Sequence, residues 1–170
     1  CPWAVAGRNI QKLRQLARKL ESSPGVIQVQ DAAEASQMAA RARVIVAAAG
    51  PFGACGEDLV RECVNQVTHY IDISTEVTWM QNMIRKYHDR AKEKGAMIVQ
   101  AAGAGCALGG LLCGALAGKL GPLRQYREYF RQHGGVSGGF VDTEIAELRA
   151  MTPEVLAGME DAFCLGGERE

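Results

Sequence analysis

The chain has 170 residues, of which 48% are hydrophobic and 22% are charged, and its formal net charge is zero. This length suffices for a domain with a real core. The zero net charge argues against a nucleic-acid partner, because a surface that binds a polyanion needs an excess of Lys and Arg.

Strands and helices are expected to alternate through the first two thirds of the chain. The predicted strands cover residues 3–6, 26–29, 44–48, 69–73 and 96–101, and the predicted helices cover 9–22, 33–42, 57–67, 78–94 and 106–119. The strands at 44–48 and 96–101 are of the fully buried type that parallel sheets require. The first helix is expected to bury Leu13, Leu16, Ala17 and Leu20. The alternation with short joints predicts a doubly wound, parallel α/β sheet.

The pattern changes after Pro122. Residues 123–132 alternate like a polar strand, residues 133–139 read as a flexible loop, and helices are predicted over 142–150 and 153–163. The second of these helices has Thr152 as its cap and Pro153 as its first residue. We therefore place a domain boundary near Gly121, with one domain over residues 1–121 and the start of a second, α+β domain over residues 122–170.

Residues 97–118 carry no charge and are long enough to cross a bilayer, and their glycines have helix-packing spacings. Strand and loop signals divide this segment in two, however. We interpret it as a buried strand followed by a packed helix, with membrane association left open but not predicted.

The six cysteines are scattered, and no pair has the two-residue spacing of a zinc or redox motif. We interpret them as buried, reduced thiols and expect no metal site. No secretory signal is visible in the first residues. These features favour a cytoplasmic protein, and a homo-oligomer is left open.

Gly7, Arg8 and Asn9 follow the first predicted strand. At the end of the second strand of a dinucleotide fold, an acidic residue binds the ribose of NAD, whereas arginine accommodates the 2′-phosphate of NADP. This position has Arg8 and no acid, and the planar guanidinium suits a phosphate. Lys12 adds charge one turn later. The alternative is an ordinary surface arginine. Asp31, after the second predicted strand, is also a candidate cofactor-binding residue.

The loop after the third strand is made of small residues. Ala49, Gly50, Pro51 and Phe52 stand at the carboxyl end of the strand, where open α/β sheets bind ligands. Tiny side chains let a flat ligand approach the backbone closely. We interpret this loop as a wall of the cofactor site, with an ordinary strand-to-helix turn as the alternative.

Asp72, Ser74 and Glu76 crowd the end of the fourth predicted strand. Their polar groups could orient a nicotinamide or a substrate amine, or they could cap the helix that starts near Thr78. For Ser74 and Glu76, capping is weighed at least equally. We count Asp72 and Ser74 among the candidate cofactor-binding residues.

Two glycine patterns are rejected as phosphate sites. Residues 114–120 lack the spacing and the hydroxyl of a phosphate loop. Residues 103–109 resemble a dinucleotide fingerprint, but no acid and no further strand–helix repeat follow. We interpret residues 103–109 as a loop on the substrate side.

The segments AGRN, VIVAAAGPFGACGEDLVRECVNQVTHYIDISTE, IVQAAGAG and GGVSGG together resemble the saccharopine dehydrogenase-like oxidoreductases, a family that includes trans-acting enoyl reductases. The resemblance covers about residues 3–139. It implies an N-terminal Rossmann domain that uses NADP(H), hydride transfer to a small-molecule substrate, and a following substrate or dimerisation domain. It carries over Gly7 and Arg8 as phosphate contacts and Gly50, Pro51 and Phe52 as cofactor-loop residues.

The chain departs from the family pattern at three places. The family begins with a strand and a glycine-rich loop that would precede Cys1, residues 103–110 differ from the family's polar motif, and Phe140 replaces a threonine. The second and third departures leave the catalytic residues unassigned and favour, as the alternative function, a non-catalytic Rossmann scaffold that binds a partner or a membrane. In the strand order 3-2-1-4-5-6 the first strand is central. We therefore expect a chain that either is poorly stable or closes the gap by direct strand pairing.

Overall fold

The structure, a computed structural model, describes residues 2–129, 131, 133–159 and 165. Its strands are β1 (Ala4–Gly7), β2 (Gly25–Gln28), β3 (Val44–Ala47), β4 (His69–Asp72) and β5 (Ile98–Val99). Its helices are α1 (Ile10–Lys19), α2 (Ala32–Ala40), α3 (Phe52–Cys55), α4 (Glu57–Gln66), α5 (Val77–Lys94), α6 (Ala104–Leu120), α7 (Gly138–Ala150) and α8 (Pro153–Met159). The predicted alternation of strand and helix is confirmed, and the sequence analysis did not predict the short helix α3.

The five strands form two parallel sheets. In the first sheet β1 pairs with β2, and Ala4 lies opposite Gly25. In the second sheet the order is β3-β4-β5, and Val44 lies opposite His69. β1 and β3 each have one strand partner and are not paired with each other. Among the described residues, the direct pairing of β1 with β3 that was one expected outcome is therefore not formed, and the edge of each of these strands that faces away from its partner is open.

The main core lies between the second sheet and helices α4 and α5. Its fully buried side chains include Val60, Cys63 and Val64 of α4, Tyr70 of β4 and Met83 of α5. Helix α2 is joined to this core, because the hydroxyl of Thr68 donates to the carbonyl oxygens of Ala39 at 2.6 Å and Ala42 at 3.1 Å. The second sheet therefore has a well-packed helical layer on one face.

Several segments predicted to be buried are exposed. In β3, Val46 is 63% exposed, α1 contains no buried residue, and Leu111 of α6 is 72% exposed. Parallel strands are buried on both faces only when helices cover both faces. The predictions of a buried β3 and of a packed α6 were therefore wrong, because these surfaces remain open to solvent. The predicted face of α1 is half-buried at Leu13, Ala17 and Leu20 and exposed at Leu16.

The uncharged stretch at 97–118 is divided between β5 and α6, as predicted. Among the described residues, no helix combines the length and the apolar character needed to cross a membrane.

Cys63 is buried, and burial raises the pKa of its thiol to about 12, whereas Cys55 and Cys106 are exposed. The prediction that the thiols are buried thus holds for Cys63 and fails for those two. Positions 1 and 164 lie outside the described residues.

The region after residue 122 contains helices but no strand among its described residues. The strand predicted over residues 123–132 is not formed at its described positions, where no neighbouring strand is present to pair with the backbone, and residues 130 and 132 lie outside the described part. Helix α7 begins at Gly138, earlier than predicted, because Ser137 accepts a hydrogen bond from the amide of Phe140. The cap on α8 is confirmed, since the hydroxyl oxygen of Thr152 accepts from the amide of Val155. Residues 160–163 of the predicted last helix lie outside the described part. The domain boundary near Gly121 stays a prediction.

Candidate cofactor-binding site

Arg8 follows the carboxyl end of β1 and precedes α1. Its side chain is exposed, and among the described residues no group is hydrogen-bonded to its guanidinium. Asn9 caps α1 by accepting from the amide of Lys12 at 3.0 Å. The first turn of α1 contains Lys12 and no acidic residue, and Arg8 lies two residues before the helix, so the sequence concentrates positive charge at the amino end of α1. An anion is the ligand that this group of charges favours.

Asp31 follows β2 and caps α2. Its carboxylate accepts from the amide of Glu34 at 2.8 Å, and the carboxylate of Glu34 accepts from the amide of Gln30 at 2.6 Å. This reciprocal pair satisfies two backbone donors at the start of the helix. One carboxylate oxygen of Asp31 thus caps α2, while the side chain as a whole remains exposed.

The loop after β3 begins with exposed small residues and ends at a buried aromatic side chain. Ala49 and Gly50 are exposed, Pro51 is half-buried, and the ring of Phe52 is buried against Trp79. The Gly50–Pro51 peptide bond is cis. Helix α3 starts at Phe52, so small residues present backbone to solvent just before a buried aromatic anchor.

Glu76 fixes the end of this loop. Its buried carboxylate accepts from the amides of Phe52 and Gly53, both at 3.2 Å. Burial raises the pKa of Glu76, and the two backbone donors offset only part of that effect. The side chain was expected either to face a ligand or to cap α5; instead it caps α3, and it makes no side-chain cap bond to α5.

Asp72 is the centre of a buried hydrogen-bond network. One carboxylate oxygen accepts from the hydroxyl of Ser74 at 2.6 Å, from its amide at 3.0 Å and from the amide of Ala101 at 3.0 Å. The other oxygen accepts from the hydroxyl of Tyr70 and the indole of Trp79, both at 3.2 Å. One side chain therefore joins the ends of β4 and β5 to helix α5.

This network changes the interpretation of two candidate residues. Asp72 and Ser74 are 0% and 1% exposed, and their polar atoms bond to each other and to their neighbours. Burial, followed by the charge of Asp72, raises the pKa of Tyr70, which therefore acts as a donor in this network. Asp72 and Ser74 thus support the end of the sheet, and their contact with a cofactor stays a prediction.

Two residues of α7 reach the same area, and sequence reasoning did not single them out. Thr143 is buried against Gly50, and the carboxylate of Glu147 accepts from the amide and the hydroxyl of Thr78. A cavity of about 490 Å³ beside them is lined in part by Gly53, Glu76 and Glu147. The available signal was the four-residue spacing of Thr143 and Glu147, which places them on one helical face.

A comparison with known proteins shows the family to which this chain belongs. Residues 2–99 match the family model described as the saccharopine dehydrogenase NADP-binding domain. The chain belongs to this family. The predicted resemblance and the NADP(H) cofactor are confirmed at the level of the family, and so is the Rossmann-type α/β fold.

Two curated relatives and one solved structure give the extent of the similarity. A saccharopine dehydrogenase-like oxidoreductase of Mus musculus is 36% identical over 113 residues, which are 60% of this chain and 26% of the relative. A trans-acting enoyl reductase of Mycobacterium ulcerans is 38% identical over 105 residues, or 59% of this chain and 25% of the relative. The chain thus spans about a quarter of the length of these relatives.

The solved structure is apo saccharopine dehydrogenase (L-Glu forming) from Saccharomyces cerevisiae. It superposes with a TM-score of 0.59 over 70% of this chain and 25% of that chain, at 14% sequence identity. At this identity the likeness concerns the fold alone. It agrees with the parallel α/β architecture of the two sheets.

Proposed function

We propose that this chain is the cofactor-binding part of an NADP(H)-dependent oxidoreductase that transfers hydride to a small-molecule substrate. The observation that carries the proposal is the match of residues 2–99 to an NADP-binding domain, with an unengaged arginine at the end of β1. When it is bound, NADPH supplies the hydride. The residues of this chain hold the cofactor, orient it and keep its surroundings rigid.

Arg8 is the proposed contact for the 2′-phosphate of the cofactor. Its guanidinium is exposed, and α1, which begins two residues later and has Lys12 in its first turn, contributes further positive potential. No carboxylate follows β1 to repel a phosphate or to bind a free ribose hydroxyl in its place. This charge pattern supports a preference for NADP(H) over NAD(H). In this proposal Gly7 and Asn9 shape the turn that presents Arg8.

The loop from Ala49 to Phe52 is proposed to line the pyrophosphate and the nicotinamide ribose. Its exposed small residues allow a ligand to approach the backbone. The carboxylate of Glu76 holds the amides of Phe52 and Gly53 in place, so the loop is already shaped before a ligand arrives. Asp72 and Ser74 enter the proposal as positioning residues that fix the ends of β4 and β5.

Replacement of Arg8 tests the proposed phosphate contact. Because a charge-assisted hydrogen bond is worth roughly 1.5–3 kcal/mol, Arg8→Ala should weaken NADPH binding by about ten- to a hundredfold and should leave NADH binding unchanged. Arg14→Ala is the matched control, since Arg14 is an exposed arginine of α1, the helix that follows Arg8, and lies beyond its first turn. Fluorescence titration of the unmodified chain and of both variants gives the dissociation constants for NADPH and NADH. An Arg8→Ala protein that binds NADPH as tightly as the unmodified chain would rule out this contact.

A further inference from the structure

Helix α7 contacts the candidate site through one face. Thr143 and Glu147 are four residues apart, and Ala146 and Ala150 complete the same stripe beside the cavity. Thr143 is 7% exposed, whereas Leu148, on another face, is 66% exposed. The face that carries Thr143 and Glu147 is therefore the one that docks.

The first docking contact is a hydrogen-bonded cap on α5. The carboxylate of Glu147 accepts from the amide of Thr78 at 3.1 Å and from its hydroxyl at 2.6 Å. The N-cap residue of α5, Glu76, supplies no side-chain cap of its own. The start of α5 therefore takes its cap from α7, 69 residues further along the chain.

The second docking contact is made with the loop after β3. A Cβ atom on Gly50 would lie 3.3 Å from the hydroxyl oxygen of Thr143, which is tighter than ordinary van der Waals contact. Thr143 thus packs closely on the backbone that is proposed to line the cofactor. One turn of α7 separates this contact from the cap on Thr78.

Both contacts support the loop from Gly50 to Gly53: Thr143 touches it directly, and Glu147 holds the start of α5, which carries the Glu76 segment. Glu76 lies two residues before Thr78, and its carboxylate accepts from the amides of Phe52 and Gly53. The loop is consequently held by Glu76 on one side and by α7 on the other. A shift of α7 would release Thr143 from Gly50 and would loosen the Glu76–Thr78 segment at the same time.

We propose that Glu147 is a positioning residue for cofactor binding, because its bond to Thr78 seats α7 on the loop from Gly50 to Gly53 and keeps that loop ready for the nicotinamide half of NADP(H). The inference rests on the proposed function. It adds that residues beyond the matched domain help to set the affinity for the cofactor. Arg8 follows a strand of the other sheet and takes no part in these contacts.

Two ligands allow binding at the nicotinamide half of the site to be measured separately from binding at its phosphate end. NADPH occupies both, whereas adenosine 2′,5′-bisphosphate lacks the nicotinamide half and depends on the phosphate end. In the full chain, Glu147→Ala should weaken NADPH binding about five- to tenfold, because only a fraction of the molecules then has the loop in its binding conformation. The affinity for adenosine 2′,5′-bisphosphate should change less than about twofold, since this ligand does not need that loop.

Thr78 provides a second, milder test of the same bond. Thr78→Val keeps the shape but removes the hydroxyl donor, so it should weaken NADPH binding about threefold, and Thr78→Ser should restore it. The double variant Thr78→Val with Glu147→Ala should be no weaker than Glu147→Ala alone. Glu144→Ala is the matched control, because Glu144 is an exposed acid of the same helix.

The outcomes distinguish the two proposals. If the unmodified chain binds neither ligand, the proposed function fails. If it binds both and the variants weaken both ligands equally, Glu147 is only structural and the inference is overturned. Unchanged NADPH binding in Glu147→Ala and Thr78→Val also overturns it. If Glu147→Ala does not fold, the comparison of Thr78→Val with Thr78→Ser decides.

Discussion

The two sheets use similar short strands but differ in how they are packed. In the first sheet, α1 buries no residue and Leu16 is 46% exposed. In the second sheet, α4 and α5 bury eight residues between them, and Asp72 receives five hydrogen bonds at the sheet end. The comparison teaches that the loop after β3 belongs to a well-packed part of the molecule, whereas Arg8, the proposed phosphate contact, follows a sparsely packed part.

Removal of the Asp72 carboxylate is expected to have the largest effect, because it leaves several buried donors without an acceptor. Asp72→Ala should lower the free energy of unfolding by about 3–4 kcal/mol, as measured by urea denaturation. Asp58→Ala is the control, since Asp58 forms an exposed ion pair with Arg61 that contributes little. Similar losses in the two variants would show that the network does not hold the second sheet together.

The difference in packing should also appear as a difference in local stability. Amide hydrogens of the first sheet, such as that of Gly25 bonded to the carbonyl of Trp3, should exchange through openings that cost less free energy than those of the second sheet, such as that of Tyr70 bonded to Met97. We expect a gap of about 2 kcal/mol, measured by native-state hydrogen exchange. Equal protection of both amides would contradict the comparison and would favour a single cooperative unit.

The smallest expected effect is a pH dependence carried by Glu76. Its pKa in the folded protein is raised above the ordinary value of 4.5, chiefly by burial. The folded state therefore holds this proton more tightly than the unfolded state, and the resulting stability is full below pH 4.5 and is lost as the pH rises through the raised pKa. Glu76→Gln lacks this titration.

The stability of the unmodified protein relative to Glu76→Gln should thus decrease with increasing pH, in urea denaturation between pH 4 and pH 8. A relative stability that increases with pH would mean that the amides of Phe52 and Gly53 outweigh burial.

Sequence patterns predicted the alternating elements well, because signals such as the cap at Asn9 and the helix stop at Gly95 act within a few residues. They predicted the candidate site only in part. Arg8 and the loop at Gly50 follow strands, as local patterns indicate, but the orientation of Asp72 and Glu76 depends on side chains from other elements.

The tertiary contacts explain what the sequence could not provide. Glu76 bonds to amides 23 and 24 residues away, and Glu147 bonds to Thr78, 69 residues away. No local spacing encodes such pairs. The exposure of Val46 was also beyond prediction, because an apolar strand reads as buried unless the elements that would cover it are known.

The most direct test of the account compares the two nicotinamide cofactors on the unmodified chain. Its central claim is that Arg8 and the loop at Gly50 form a site for NADP(H). Equilibrium titration followed by fluorescence should give a dissociation constant for NADPH that is at least about tenfold lower than that for NADH, because only NADPH carries the phosphate that Arg8 binds. Equal affinity for the two cofactors, or binding of neither, would contradict the account.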